Sequence, residues 1–408
     1  MGRPAAGMVP MNAPTFADWA LMFLQGLYRA QIALARVLHA LGLTGDADGQ
    51  AAWPWTHRIA LETLRIDAGL TRQLAFAAAA TTLAVVLACI ALASRKWRVA
   101  SALAALAVAW FAPWPPSSLW LSPAVPTSFQ RDPAPFSVSN VMRGAHLYAQ
   151  HCAACHGADG RGEGPLAATL SHWPPTFAGA LLARRLDGEL FWRVRHGTRD
   201  EHGVSTMPGF AATLGPQDTW ALLDYLKALA AGSGAQAEGA WPVPVPLPAL
   251  DVRCGTAAPQ SLDRWREGQR VRIVALAPGA TPPPEDARWQ TLLVTARGAP
   301  SAAQVAGTAR ADCVASTPDA WLAFATIAGV APDALGGTQL LADRRGWLRA
   351  RALPGSAGWS DADLLCRSDA TARPAVPAGP AANGDPLTAL LLRVDTEPVR
   401  DVQAGLPH

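Results

Sequence analysis

The longest unbroken apolar run lies between Gln73 and Ser94, where 22 consecutive residues carry no charge. As a helix it is long enough to cross the roughly 30 Å of bilayer hydrocarbon. Arg95, Lys96 and Arg98 follow at once, and a second uncharged stretch runs from Val99 to Ala112 before Pro113, Pro115 and Pro116 interrupt it. That stretch is short for a span. A second crossing requires the helix to extend back over Trp97, with Arg98 snorkelling, and forward past Pro113. Trp110, Trp114 and Trp120 are spaced like an interfacial aromatic belt, so the pattern predicts two transmembrane helices within 73–122, joined by a tight RKWR hairpin.

The apolar segment 15–43 is different in kind. Asp18, Gln25, Arg29 and Arg36 recur at steps of seven, four and seven and so share one helix face. Such a helix either lies in the membrane interface or forms a third span whose polar stripe faces protein, and both readings stay open. Thr15 with Asp18 resembles a capping box that starts the helix. A cleaved signal peptide is not the pattern, because only Arg3 precedes the run and Arg29 and Arg36 interrupt it. Basic residues are densest at Arg95–Arg98, which favours a cytoplasmic hairpin over the looser Arg58, Arg65 and Arg72, and puts the chain beyond the second helix outside the cytoplasm.

Composition narrows the class. The chain has 408 residues, half of them apolar, 16% charged, a net charge of +3 and six scattered cysteines. That excludes a disordered chain and a disulfide-stapled miniprotein, and implies about two to three domains. No clustered basic face argues for nucleic acid as a partner.

Residues 152–156 read CAACH, the C-x-x-C-H signature of covalent haem attachment: two thiols one helical turn apart meet the two vinyl groups, and the adjacent imidazole reaches the iron. A zinc site would want a second Cys/His pair, and a dithiol redox site a preceding strand. Here the lead-in, NVMRGAHLYAQH, is helical, with Gly144 and Tyr148 on one face. Seventy residues on, PQDTWALLDYLKALA places Pro216 at a first helical position and Leu222, Tyr225, Leu226 and Leu229 on one face. Residues 140–230 thus resemble a class I cytochrome c domain, an all-α fold whose two terminal helices cross at the glycine.

The resemblance implies a sixth iron ligand from a Met-Pro dipeptide, met here by Met207 and Pro208 in STMPGF, with His196 and His202 as the competing ligands. It also matches Pro165, in RGEGP, to the proline whose carbonyl holds the proximal imidazole. The cofactor-binding set is therefore Cys152, Cys155, His156, Met207 and Pro165, with His156 and Met207 on the metal. Trp192 and Arg193 either hydrogen-bond the propionates or pack, and His146, His151 and His172 are read as helix or surface residues.

Residues 231–249 are Gly/Ala-rich and then alternate proline, the composition of a semi-rigid spacer. Beyond it, RVRIVALA and TLLVTA read as buried strands, TPDAWLAFATIAG as a helix, and GGTQLLADRRGWLRAR as a hairpin turning at Arg345 and Gly346. The stretch 250–355 resembles an α/β thioredoxin-like domain of the membrane-tethered type that lacks the C-x-x-C. Thr281 and Pro284 stand in the cysteine positions, and Gly336, Gly337 and Thr338 stand where that family has its cis-proline. Cys254 and Cys313 either pair or are isolated thiols, and Cys366 stays unpaired.

The segment WPWTHRIALETL, with the order membrane helices, PTSF, cytochrome, resembles copper-resistance D/cytochrome c fusions, of which only a fragment of the membrane domain is present. His57, Met8 and Met11 are too sparse for a copper site. The expected chain is multi-domain: an N-terminal segment 1–72, membrane helices in 73–122, a linker 123–139, the cytochrome at 140–230, the spacer 231–249, the α/β domain at 250–355 and an extension 356–408. Its expected role is a bacterial inner-membrane c-type cytochrome with one covalent haem c. The cytochrome and α/β domains lie in the periplasm and carry single electrons between a membrane oxidoreductase complex or soluble redox protein and an acceptor, without independent catalysis. The alternative is an assembly, copper-handling or redox-sensing factor whose α/β domain grips a client.

Overall fold

The computed structural model describes residues 16–60, 68–114, 116–179, 181–182, 185–297, 313–356, 358–366, 385–396 and 399. They form two compact units, meeting in sequence at Pro126 and Thr127.

In the first unit, helix α1 is Phe16–Ala40, α2 Ala68–Ala93 and α3 Arg98–Phe111. Thr15, Met8 and Met11 lie outside the described residues. On α1, Arg29 and Arg36 are exposed, as are Leu34 and Val37, while Leu27 and Tyr28 pack on Leu119 and Gln31 is buried. Between α1 and α2, the WPWTHR segment is pinned to the chain after α3, with Trp53 N–H donating to Pro126 O and Ala124 N–H to Thr56 O, both at 2.8 Å, while Trp53 Nε1 donates within the segment to His57 O at 3.0 Å.

Within α2, Gln73–Ala93 is long and apolar enough to cross a membrane. Helix α3 is not. It stops at Phe111, one residue short of the Ala112 that precedes Pro113, and spans only about 21 Å at 1.5 Å per residue. Ala112 is extended (φ −60°, ψ 139°), as the clash with a following proline ring demands, so the expected continuation past Pro113 does not form. The freed carbonyl of Ala109 is instead taken by Trp114 Nε1 at 2.9 Å. The two helices pack along each other and leave Phe76, Val85, Leu92, Val99, Leu106, Trp110 and Phe111 exposed, an apolar surface far larger than isolated surface residues would make.

The second unit opens with a buried strap, Thr127–Gln130, whose Thr127 Oγ1 donates to Gly188 O at 2.5 Å. Helix α4 (Val138–His151) is capped by Ser137 Oγ, which accepts from Asn140 N at 3.2 Å. After a short helical turn α5 (Ala153–His156) come α6 (Asp187–His196), a small hairpin of β1 (Thr198–Arg199) and β2 (Ser205–Met207), and α7 (Pro216–Ala237). The α4–α7 crossing is as close as the sequence predicts: a Cβ on Gly144 would overlap the Ala221 carbonyl, so only glycine lets the two backbones meet.

The α/β half contains β3 (Val271–Ala275), β4 (Gln290–Val294), β5 (Cys313–Ala315), α8 (Pro318–Ala328), β6 (Gln339–Ala342), β7 (Leu348–Ala352) and α9 (Pro386–Thr396). The sheet order is β5-β4-β3-β6-β7, parallel through β5, β4 and β3 and antiparallel from β3 through β6 to β7. Cys254 and Cys313 form a disulfide. Much of the expected spacer joins the core: residues 231–235, Trp241, Val243 and Val245 are buried, and residues 236–239 are exposed. Helix α7 runs on to Ala237, and a Cβ on Gly232 would overlap the Thr326 carbonyl of α8. Trp241, Val243 and Val245 are then buried along β7, with Leu348 N donating to Val245 O at 3.0 Å and Trp241 N to Leu365 O at 2.9 Å. One hydrophobic cluster runs without a break from Val141 and Phe191 to Phe324 and Leu348. The reason is arithmetic: an 88-residue helical domain leaves one face of α7 apolar, and α8 covers it. The expected linker 123–139 is likewise tied in, through the strap and through Val138 N donating to Ala249 O at 3.0 Å.

Helix α9 is held by Arg288, which bonds both Asp286 and Asp385 (2.5 Å each), and by Arg270 paired with Asp395. Hydrogen bonds from Arg288 hold the carboxyls of Asp286 and Asp385 below the ordinary aspartate value. Depressed acids contribute stability above their ordinary pKa and lose it as pH falls through the lowered one. Acidification below about pH 4 is therefore expected to release α9 before the sheet unfolds. Hydrogen exchange at Leu390–Val394 should rise ahead of that at Leu292–Val294, and equal protection down to global unfolding would refute it.

Candidate metal centre

The CAACH segment is shaped by local hydrogen bonds. Cys152 N–H donates to Tyr148 O and His156 N–H to Cys152 O, both at 2.9 Å, so Cys152, Cys155 and His156 sit on one turn. Tyr148 Oη donates to Gly157 O at 2.6 Å and ties the turn to α4. The chain then folds back over the turn: Gly162 N donates to His156 O at 2.8 Å, Gly164 N to Cys155 O at 3.1 Å and Leu166 N to Ala154 O at 2.9 Å. At Gly162, φ is +85° and a Cβ would overlap the Pro174 carbonyl, so glycine is what brings the 174–175 backbone beside the turn.

These elements enclose a cavity of about 500 Å³. Cys152, Cys155, His156 and Met207 all line it, with apolar walls from Leu182, Leu190, Leu223 and Leu226. Both cysteines are free thiols. Burial pushes the Cys152 thiol up to about 12. His156 is lowered by burial, with the Pro175 backbone acting in the opposite sense, and its Nδ1 is buried without a hydrogen bond of normal geometry. Lowering keeps the imidazole neutral, which is the form that binds a metal. Its ring stacks on Phe177 with centroids 4.8 Å apart.

Met207, at the end of β2, also lines the cavity. The hairpin is held by Thr198 Oγ1 and Thr206 Oγ1 at 2.8 Å, and by Asp200 Oδ1, which accepts from His202 N (2.9 Å) and Val204 N (2.8 Å). Of the competing ligands, His196 stacks on Trp192 and His202 sits exposed on the turn, and neither lines the cavity. His151 and His172, read as helix or surface residues, do line it, while His146 is exposed and bonds Gln150 at 2.9 Å.

Pro165 is not where the resemblance puts it. It is exposed and outside the cavity lining, because the fold-back carries 163–166 over the outer face of the turn. The proline at the imidazole is Pro175, which can act only through its carbonyl because proline has no N–H. The pair in HWPPTF was a visible signal, but its approach depends on Gly162. Arg193 lines the cavity with Arg185 and Arg199, and burial followed by the Arg185 charge lowers its pKa. Trp192 packs.

Two free thiols one turn apart, a neutral imidazole, a thioether on the same cavity, apolar walls and three arginines suit a covalently held haem in donor chemistry. Residues 139–226 match the family model of cytochrome c oxidase, cbb3-type, subunit III. This stretch is a cytochrome c domain, and the family implies haem c. No curated protein matches the chain. Among solved structures, a chain of the Kuenenia stuttgartiensis reducing HAO-like protein complex is similar at 22% identity, over 31% of this chain and 59% of that one, with a TM-score of 0.23. The present chain thus spans less than two thirds of that relative.

Proposed function

We propose that this protein is a membrane-anchored, single-haem c-type cytochrome that carries one electron at a time on the periplasmic side of a bacterial inner membrane. It would pass electrons between a membrane oxidoreductase complex or a soluble redox protein and an acceptor. The observation that carries the reading is the convergence of Cys152, Cys155, His156 and Met207 on one cavity.

A bound haem c supplies a one-electron Fe(III)/Fe(II) couple. Cys152 and Cys155 would hold it by thioether bonds, which fixes its position against the turn. His156 and Met207 would ligate the iron, and an imidazole–thioether pair would favour the ferrous state and a high potential. The Pro175 backbone acts on the imidazole, and its carbonyl would orient the ring with the group bound. Leu182, Leu190, Leu223 and Leu226 would keep water from the ring, and Arg185, Arg193 and Arg199 would offer cations to the propionates.

Anchoring is supported by the length of Gln73–Ala93 and by the exposed apolar surface of α2 and α3, with the basic Arg95–Arg98 turn on the cytoplasmic side. The α/β half is read as a thioredoxin-like domain without dithiol chemistry. The loop where the dithiol would stand is tied down by Arg272, whose Nη2 donates to Pro284 O at 2.9 Å and whose guanidinium lies 5.0 Å from the Trp289 ring centroid. Its role is to brace α7.

Purified protein should show a covalent c-type alkaline pyridine spectrum, together with a thioether charge-transfer band in the oxidised form. Cys152→Ser/Cys155→Ser should lose all covalent haem. A wild type without the covalent spectrum would remove the basis of the proposal.

A further inference from the structure

Behind the cavity wall lies a group of ionisable residues that simple electron transfer does not use. Asp224 on α7 is 3% exposed, and its Oδ2 accepts from Asn140 Nδ2 of α4 at 3.2 Å. Asp187, at the start of α6, binds Lys227 of α7 at 2.8 Å. Asp132, from the chain after the strap, accepts from Ala134 N through Oδ1 at 2.8 Å, while its Oδ2 is buried without a partner. Three carboxyls from three segments therefore act electrostatically on one ammonium, which Asp187 binds directly. Helix α8, also packed on α7, adds only Asp319, exposed in its first turn, and the next ion pair along α4, Arg143–Asp218, is solvent-facing.

Lys227 and Asp187 are half-buried, whereas Asp224 is buried, so ionising Asp224 beside two further carboxyls carries a desolvation and repulsion cost. Lys227 is committed to Asp187, so the excess falls on Asp224 and Asp132, whose partners are a neutral amide and a backbone N–H. Burial first, and Asp132 and Asp187 after it, push Asp224 up to about 7 against the pull of Lys227 and Asn140. Burial raises Asp132 as well.

The same helices face the cavity. Leu222, Leu223 and Leu226 line it beside Asp224, and Leu190 lines it three residues after Asp187. We propose that the Asp224–Asp132 pair is a proton site coupled to the haem: when a one-electron donor reduces the iron, the pair takes one proton from solvent, and when an acceptor withdraws the electron, the pair gives that proton back. The charges balance, one electron and one proton in, one electron and one proton out. Oxidised iron carries one more positive charge and favours the carboxylate, through leucine side chains that screen little. The potential must then fall as pH rises through the window between the site's two pKa values and level off on either side.

This inference rests on the haem reading, and its test separates the two. Potentiometric titration of the haem-loaded full chain is expected to show the midpoint falling between about pH 6 and 8, near the raised Asp224 value. Asp224→Asn should flatten that dependence. Asp132→Asn, which removes a neighbouring negative charge, should move the sloping window to lower pH, and Lys227→Gln should move it higher. Reduced-minus-oxidised infrared spectra should contain a protonated-carboxyl band that Asp224→Asn abolishes. A protein that carries covalent haem but whose pH dependence persists unchanged in Asp224→Asn and Asp132→Asn would overturn the coupling and assign the proton elsewhere, such as to a propionate. Failure to bind covalent haem would instead overturn the haem reading.

Discussion

Truncation after residue 249 is expected to unfold the cytochrome half rather than leave a smaller working carrier. Without the α/β half, Trp241, Val243 and Val245 lose their cover, and the Ala228–Ala235 face of α7 loses α8. At about 1.5–3 kcal/mol per buried side chain, the first three alone cost roughly 5–9 kcal/mol. A typical domain is stable by only about 5–15 kcal/mol, so this loss takes most or all of it. The backbone bonds Trp241 N to Leu365 O and Leu348 N to Val245 O go as well. Thermal unfolding followed by haem absorbance and far-ultraviolet dichroism should show a transition lowered by tens of degrees, or none at all. Gly232→Leu should reproduce the defect in the full chain, since its side chain meets the Thr326 carbonyl and the Gly329 backbone. A truncated protein that keeps the wild-type transition would show that the two halves are independent modules after all.

Met207→Ala should keep the haem and change its chemistry. Covalent attachment depends on Cys152 and Cys155, which the substitution leaves alone, so the pyridine spectrum stays the same. The thioether band should vanish. Axial ligands set potentials over a range of about 0.8 V, and losing a ligand that favours ferrous iron should lower the midpoint by on the order of 0.1 V or more. What fills the position is informative, because His151 and His172 also line the cavity. A low-spin bis-imidazole spectrum would mark one of them as the replacement, and ready carbon monoxide binding would mark an open position. A wild-type band that survives the substitution would show that Met207 is not the ligand.

Much of the site was legible in the sequence because its signals are local. CAACH places two thiols and an imidazole on one turn whatever surrounds it, and Gly144 with Tyr148 on one face announced a close helix crossing. Helix α8 and strands β3, β4, β6 and β7 followed from apolar runs bounded by turn residues, and the 343–347 turn from Arg345 and Gly346, whereas the short edge strand β5 did not. The end of α3 was also written locally, in the Ala112–Pro113 step. The demand for a span outweighed that signal, and the backbone obeyed the proline.

Other features were decided only in three dimensions. Pro175 rather than Pro165 meets His156 because a glycine fold-back, not distance along the chain, sets which carbonyl arrives there. Residues 231–249 have the composition of a spacer, yet residues 231–235, Trp241, Val243 and Val245 are buried because α7 has an apolar face that α8 covers. Asp132, Asp187, Asp224 and Lys227 are unremarkable polar residues on their own segments, and become a cluster only when the strap, α6 and α7 pack together. Covalent spacing and backbone stereochemistry act over a few residues, so the sequence by itself determined the haem-binding turn and the elements. Desolvation and packing act between segments far apart in the chain, so only the tertiary structure decided which groups meet, which are buried and which must share a proton.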